Sequence, residues 1–149
     1  MISLFLIQKR NLFLFNIIYY MNINLIYDKS PNVQEMRPKD FKVVNLRKNI
    51  EPKYNQPIII VFYAHWCPHC SNKKMVEFVE SLAGVLPKKS NVKVGAFNCD
   101  YNDEHRDIAN NMGVTGFPTI RYINKNRKPA DYRGPTNIKK MLEFLVKSS

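Results

Sequence analysis

The clearest pattern along the chain is Ile58-Ile59-Ile60-Val61-Phe62-Tyr63, six consecutive β-branched or aromatic residues. A half-exposed strand alternates apolar with polar positions, so an unbroken apolar run predicts a strand buried on both faces at the centre of a sheet. Downstream, Met75, Phe78, Val79, Leu82 and Leu86 recur at helical spacing, and Pro87 predicts the stop of that helix. Val92 to Phe97 predicts a second strand, and Asn102 to Met112 a helix with Ile108 and Met112 facing inward. Thr119 to Ile123 and Pro129 to Arg133 flank the polar turn Asn124 to Lys128, a hairpin pattern. A last helix is expected from Thr136, with Pro135 in its first turn and Ile138, Met141, Leu142 and Leu145 on one face.

Upstream, Phe41 to Val44 suits a short strand, and a brief irregular or helical passage then reaches Pro57. The expected order is β, α, β, α, β, α, β, β, α around a mixed sheet, parallel crossovers first and an antiparallel hairpin last, which is an α/β sandwich. Asp28 to Lys39 is polar and carries Pro31 and Pro38, so it reads as a linker or an irregular lead-in. The expected organisation is therefore an N-terminal segment over residues 1–40 and a folded domain over 41–149. Ile2 to Ile7 and Leu12 to Tyr27 are largely apolar, separated by Lys9-Arg10, and have the look of a signal or an anchor. The first Ala is Ala64 and the first Gly is Gly84, which leaves no small-residue cleavage site nearby. The uncharged stretch from Asn11 to Tyr27 includes Asn11, Asn16, Asn22 and Asn24 and falls short of the roughly 20 apolar residues of a spanning helix. A retained membrane anchor and a true start at Met21 stand side by side as readings.

Composition narrows the picture. A chain of 149 residues with 45% apolar and 12% aromatic residues buries one conventional core and has no room for a second domain. The net charge of +11 favours acidic partners. Lys and Arg are nevertheless scattered in ones and twos, with no basic run and no nucleic-acid motif, so a solvated surface is expected and no nucleic-acid partner. Three cysteines argue against a disulfide-stapled scaffold.

Two of those cysteines stand three positions apart in Cys67-Pro68-His69-Cys70, behind a buried strand and at the mouth of an expected helix. A helix N-terminus offers unpaired N–H groups and a positive dipole end, which favour thiolate over thiol. Cys67, expected at the exposed mouth, is the candidate nucleophile, and Cys70, one turn inward, the candidate resolving thiol. Pro68 starts the helix, and His69 stabilises a thiolate when protonated or when donating a hydrogen bond. A zinc site would need four ligands, and only Cys99 with His65, His69 or His105 is left to complete one, without a second Cys pair. No metal is expected; Cys99 is read as a small core residue and His65 as solvent-facing.

The stretch Phe62-Tyr63-Ala64-His65-Trp66-Cys67-Pro68-His69-Cys70, with Gly116-Phe117-Pro118-Thr119 downstream, resembles the thioredoxin superfamily. Its pattern is most similar to protein disulfide isomerase domains, as is Tyr132-Arg133-Gly134 before the last helix. The match covers roughly residues 41 to 147, about three quarters of the chain. The resemblance implies a thioredoxin fold, a central mixed sheet with helices on both faces. It implies a cis Pro118 against the dithiol, with the Phe117 backbone free to pair with an extended substrate, and substrate contacts from Trp66, Phe117 and Pro118. Pro-His between the cysteines is also the pair of the strongly oxidising periplasmic disulfide oxidase of bacteria. The expected activity is a thiol-disulfide oxidoreductase that forms or isomerises disulfides in cysteine-containing protein substrates, with no metal or organic cofactor. A redox partner or glutathione would recharge it. An oxidising compartment is favoured, the endoplasmic reticulum or secretory lumen, or a virus particle, with membrane attachment if the N-terminal segment is an anchor; the cytoplasm stays open. The competing readings are a thioredoxin-like reductase and a non-enzymatic binding or virion module.

Three positions depart from that family. Six residues before the first cysteine its members carry a buried Asp or Glu that helps move the proton of the second cysteine, and here Val61 stands there. The accompanying Lys is absent from Val94-Gly95-Ala96-Phe97-Asn98, and Met75 replaces the Pro that kinks the active-site helix. With Val61 alone, Cys70 is expected to lose its proton slowly and mixed disulfides to be long-lived.

Overall fold

The computed structural model describes residues 25–149, so the anchor and alternative-start readings of residues 1–24 lie outside the described residues. In chain order the elements are β1 (Gln34–Glu35), a 3-10 turn (Pro38–Asp40), β2 (Phe41–Val43), β3 (Ile50–Pro52), β4 (Ile58–Tyr63), α1 (Pro68–Ser71) and α2 (Lys73–Lys89). They continue with β5 (Lys93–Asn98), α3 (Asp103–Asn111), β6 (Thr119–Ile123), β7 (Pro129–Tyr132) and α4 (Ile138–Ser148). The main sheet has the order β1-β5-β4-β6-β7. β1, β5 and β4 run parallel, whereas β6 and β7 are antiparallel additions on the other side of β4.

The apolar run at 58–63 is the centre of this sheet, and all six of its side chains are buried. Alternate residues face opposite layers, because successive side chains on a strand point to opposite sides. Ile59, Val61 and Tyr63 pack with Phe78, Val79 and Leu82 of α2 and Met141 and Leu145 of α4. Ile58, Ile60 and Phe62 pack with Phe97 and with Ile108 and Ala109 of α3. The fold is thus an α/β arrangement of a mixed sheet covered by helices on both faces, as expected.

Several expectations are corrected. Phe41–Val43 is a strand, but it pairs antiparallel with β3 in a small separate sheet. A 3-10 turn and this hairpin replace the helical crossover expected before β4. The first strand of the main sheet is β1, in the stretch read as a linker, and Tyr27, Val33 and Met36 around it are buried. The packed unit therefore begins ahead of Phe41. A two-residue edge strand is too short to show alternation, which is why the polar look of Asp28 to Lys39 was misleading.

Pro87 does not stop its helix either. It sits in the last turn of α2, which ends at Lys89 with the Ser90 N–H and Oγ–H both donating to the Leu86 carbonyl at 2.9 Å. Only one ladder bond is forfeited so near an end, and Lys88 and Lys89 favour the negative pole there. The last helix starts at Ile138, capped by the Asn137 side chain accepting from the Lys140 N–H at 3.0 Å, so Pro135 and Thr136 precede it. Leu142 faces outward, 40% exposed, while Met141 is fully buried.

This difference is measurable. Met141→Ala is expected to destabilise by about 2–5 kcal/mol, through lost transfer energy and a residual cavity. Leu142→Ala is expected to stay within about 0.5 kcal/mol of wild type. Urea unfolding checks both, as a lower midpoint at unchanged slope for the first variant only.

Candidate active site

The chain leaves β4 at Tyr63 and turns through Ala64, His65 and Trp66, closed by the Cys67 N–H donating to the Ala64 carbonyl at 3.0 Å. Cys67 has extended backbone angles and caps α1, its carbonyl accepting from the N–H groups of Cys70 at 3.1 Å and Ser71 at 3.3 Å. Pro68 takes the first helical position, where the missing N–H costs nothing. The continuous helix expected after Cys67 is broken at Asn72, whose backbone is extended and whose side chain accepts from the Met75 N–H at 2.8 Å, capping α2. The dithiol therefore occupies a one-turn helix of its own. The break lies three residues ahead of Met75, where the family's kinking Pro was missed, and Asn72 supplies it by capping instead.

Cys67 is 7% exposed and Cys70 1%. The expected exposed mouth is corrected by this: Trp66, Pro68 and His69 form the exposed rim, and the Cys67 sulfur lies just beneath it. The Phe117-Pro118 peptide bond is cis. The Phe117 carbonyl accepts from the Cys67 thiol at 3.8 Å, so that oxygen is shared with the dithiol rather than wholly free. Trp66 meets Phe117 edge to face, ring centroids 6.1 Å apart. Residues from three parts of the chain, Trp66, Cys67 with Cys70, and Phe117 with Pro118, are thus brought together. A groove lined by Gly116, Phe117, Pro118, Thr119 and Arg133 runs alongside.

Burial raises the pKa of the Cys70 thiol. A backbone hydrogen bond at Ala64 works against that rise, and the neighbouring Cys67 sulfur adds to it. The inner thiol therefore holds its proton, which leaves the outer sulfur as the one that a partner can reach. The His69 ring is exposed, and the hydrogen bond made here runs through its backbone carbonyl, which accepts from Asn72 Nδ2 at 3.1 Å. His65 is half-buried rather than solvent-facing, its Nδ1 lying 3.2 Å from Asn98 Nδ2. Cys99 is buried in the core on the α3 side, its thiol pushed up to about 12, first by burial. Among the described residues no group of three or more His, Cys, Asp or Glu is gathered to hold a metal.

Two sets of residues escaped sequence reasoning. Asp100, just past β5, accepts from the Trp66 indole N–H at 2.6 Å and from Arg106 Nη1 of α3 at 2.7 Å, which fixes the indole at the rim. No local spacing joins positions 66, 100 and 106; only the fold does. Glu35 of β1 accepts from the Tyr63 hydroxyl at 2.8 Å and from the Tyr27 N–H at 3.2 Å, and burial pushes its carboxyl up to about 7. A lone Glu in a polar stretch carries no signal of burial.

Arg106 first, and then Trp66, hold the Asp100 carboxyl below the usual Asp range. A lowered native value means that its contribution is present above the ordinary Asp pKa and is lost as pH falls through the native one. Trp66 is the chain's single Trp. Its emission is expected to change only below the usual Asp pKa of about 3.9, and Asp100→Asn should abolish that acid transition in a fluorescence titration.

The sequence matches a family profile described as Thioredoxin over residues 34–147. It is 34% identical over 116 residues to protein disulfide-isomerase tigA of Aspergillus niger, covering 76% of this chain and 29% of that protein. It is 34% identical over 118 residues to protein disulfide-isomerase A6 of mouse, covering 78% of this chain and 24% of that protein. The chain thus spans less than a third of the length of these curated relatives. Among solved structures it resembles the J-Trx1 fragment of ERdj5, with a TM-score of 0.61 at 18% identity over 82% of this chain and 52% of that one, a likeness of fold. With its mixed sheet, its dithiol turn and its cis proline in the order that this profile spans, the chain belongs to the thioredoxin family.

Proposed function

We propose that the chain is a thiol-disulfide oxidoreductase that forms or isomerises disulfides in cysteine-containing protein substrates through Cys67 and Cys70. One observation carries the reading: the barely covered Cys67 sulfur neighbours the fully buried Cys70 sulfur, beneath an exposed rim and next to the Phe117-Pro118 loop. The names of the relatives, protein disulfide isomerases, support the same chemistry.

In the oxidising direction a substrate thiolate attacks the Cys67 sulfur of a Cys67–Cys70 disulfide, and Cys70 leaves as thiolate and takes a proton. A second substrate thiolate then attacks the substrate sulfur of the mixed disulfide. The substrate disulfide forms, Cys67 is expelled, and two electrons have moved to the dithiol. In isomerisation the Cys67 thiolate attacks a substrate disulfide, and Cys70 or another substrate thiol resolves the adduct. Trp66, Phe117 and Pro118 hold the substrate segment at the rim, Pro68 shapes the turn, and exposed His69 stands between the two cysteines where an incoming substrate meets it. All electrons pass between sulfurs, so no metal or organic cofactor is called for, and a redox partner or glutathione restores the starting state. Such chemistry suits an oxidising compartment such as the endoplasmic reticulum or secretory lumen. Among the described residues no helix is long and apolar enough to cross a membrane.

The equilibrium of the Cys67–Cys70 pair with glutathione is expected to lie toward the dithiol, as in an oxidant. The wild type should accelerate refolding of reduced ribonuclease, and Cys67→Ser should lower that activity at least about a hundredfold. Alkylation of Cys67 at neutral pH no faster than free cysteine, with no Cys67–Cys70 bridge formed, would overturn the assignment.

A further inference from the structure

Val61 belongs to a row that crosses three strands: it pairs with Ala96 of β5, and Ala96 pairs with Glu35 of β1. Residues in register share a face of the sheet, so Glu35 stands on the face that carries Val61, two strands or about 10 Å away. Ala96, the residue between them, projects only a methyl group. The Glu35 carboxylate is joined back across this gap by Tyr63, which donates to Oε1 at 2.8 Å. Tyr63 lies two residues beyond Val61 on the same face of β4, one step nearer the dithiol.

The other carboxylate oxygen accepts from the Tyr27 N–H at 3.2 Å, and the Tyr27 ring meets Tyr63 edge to face at 5.7 Å. The Tyr27 hydroxyl is the buried side-chain polar atom without a hydrogen-bond partner among the described residues, in a side chain 1% exposed. An orphan of this kind costs stability and calls for an explanation. Tyr27, Tyr63, Cys67 and Cys70 share one core cluster, and Tyr27 is close enough to Cys70 to feel its charge.

We propose that Glu35 is the acid–base group for Cys70, displaced two strands from residue 61, with Tyr63 holding its carboxylate and the partnerless Tyr27 hydroxyl, near Cys70, as the link to the dithiol. This rests on the dithiol reading given above. When a mixed disulfide on Cys67 is resolved, Cys70 gives up its thiol proton and its sulfur bonds to Cys67. The bond from Cys67 to the substrate sulfur breaks, the substrate leaves as thiolate, and the Glu35 carboxylate holds the proton. The reverse reaction returns the proton to Cys70. Substrate disulfide is reduced as the dithiol is oxidised, so no further oxidant enters. The slow loss of the Cys70 proton expected from Val61 alone is replaced by assisted loss.

The surroundings fit that role. The groups facing Glu35 are Tyr63, Tyr27, Arg37 and Asp28, and burial outweighs the hydrogen bonds from Tyr63 and Tyr27 and the charge of Arg37 to hold its carboxyl near 7. A carboxyl in that range exchanges protons at neutral pH. Tyr27 faces Cys70, Glu35 and Glu80, and Tyr63 faces Glu35 and Tyr27; burial holds both phenols well above their usual range, so they stay protonated. Glu80 is itself engaged, accepting from the Ser30 hydroxyl at 2.7 Å. Cys70 also faces Cys67 and Cys99.

The test is stopped-flow release of thionitrobenzoate from a mixed disulfide formed on Cys67 of the full chain, followed from pH 5 to 9. In the wild type the release rate is expected to show an inflection near 7. Glu35→Gln should lose that inflection and slow release about tenfold or more at pH 7.5, with Cys67 alkylation unchanged, and Tyr27→Phe should slow release while keeping the inflection. An unaltered profile in folded Glu35→Gln overturns the inference. If that variant does not fold, carbon NMR of the Glu35 carboxyl in the wild type decides. A midpoint near 7 that moves between the dithiol and disulfide states supports the coupling, and one that does not move overturns it. A wild type that forms no mixed disulfide overturns the dithiol reading itself, and this inference with it.

Discussion

The ladder that holds β4 between β5 and β6 is the constraint on which the rest of the molecule depends. Parallel pairing on one side and antiparallel pairing on the other leave no edge, so the strand is buried end to end and its exit point is fixed. Cys67 follows that exit by four residues, and the cis Pro118 immediately precedes β6, the antiparallel neighbour. One register therefore sets the sulfur and the proline loop side by side, without any contact designed between them alone. The same register aligns Val61, Ala96 and Glu35 in a single row.

Around that exit, burial sorts the ionisable groups. Both thiols that are deepest, Cys70 and Cys99, have their neutral forms favoured because an anion would lose its hydration. Glu35 is treated likewise despite two donors, and Asp100, near the surface and paired with Arg106, goes the other way. Desolvation wins in the core and a close cation wins at the rim. The outcome is an outer layer where charge is tolerated and an inner one where protons are retained, with the dithiol spanning the two.

Most of the frame was legible in the sequence because its elements are long or strongly patterned. Ile58 to Tyr63 could hardly be anything but a central strand, the 119–132 hairpin carries its turn residues, and the dithiol and Phe117-Pro118 motifs point to each other. What escaped is what tertiary packing decides. Gln34-Glu35 is too short to show a period; it is a strand only because β5 offers it a partner. Glu35 looks like a surface residue until the fold half-buries it against buried Tyr27 and Tyr63, and the Trp66, Asp100 and Arg106 triplet exists only in space. Asn72 and Pro87 are local choices, a cap that ends one helix early and a proline tolerated in a last turn, which periodicity averages away.

The outermost strands of the sheet have a bearing on the company that such a domain would keep. β1 offers just two residues and β7 opens with Pro129, which has no N–H to give. Short or proline-led borders are poor templates for a foreign strand. A catalyst of disulfide exchange meets unfolded chains with unsatisfied backbones, and those chains would gladly extend any open ladder. On the proposed reading the proline loop is where such a chain would dock, and these two borders would give it little to build upon.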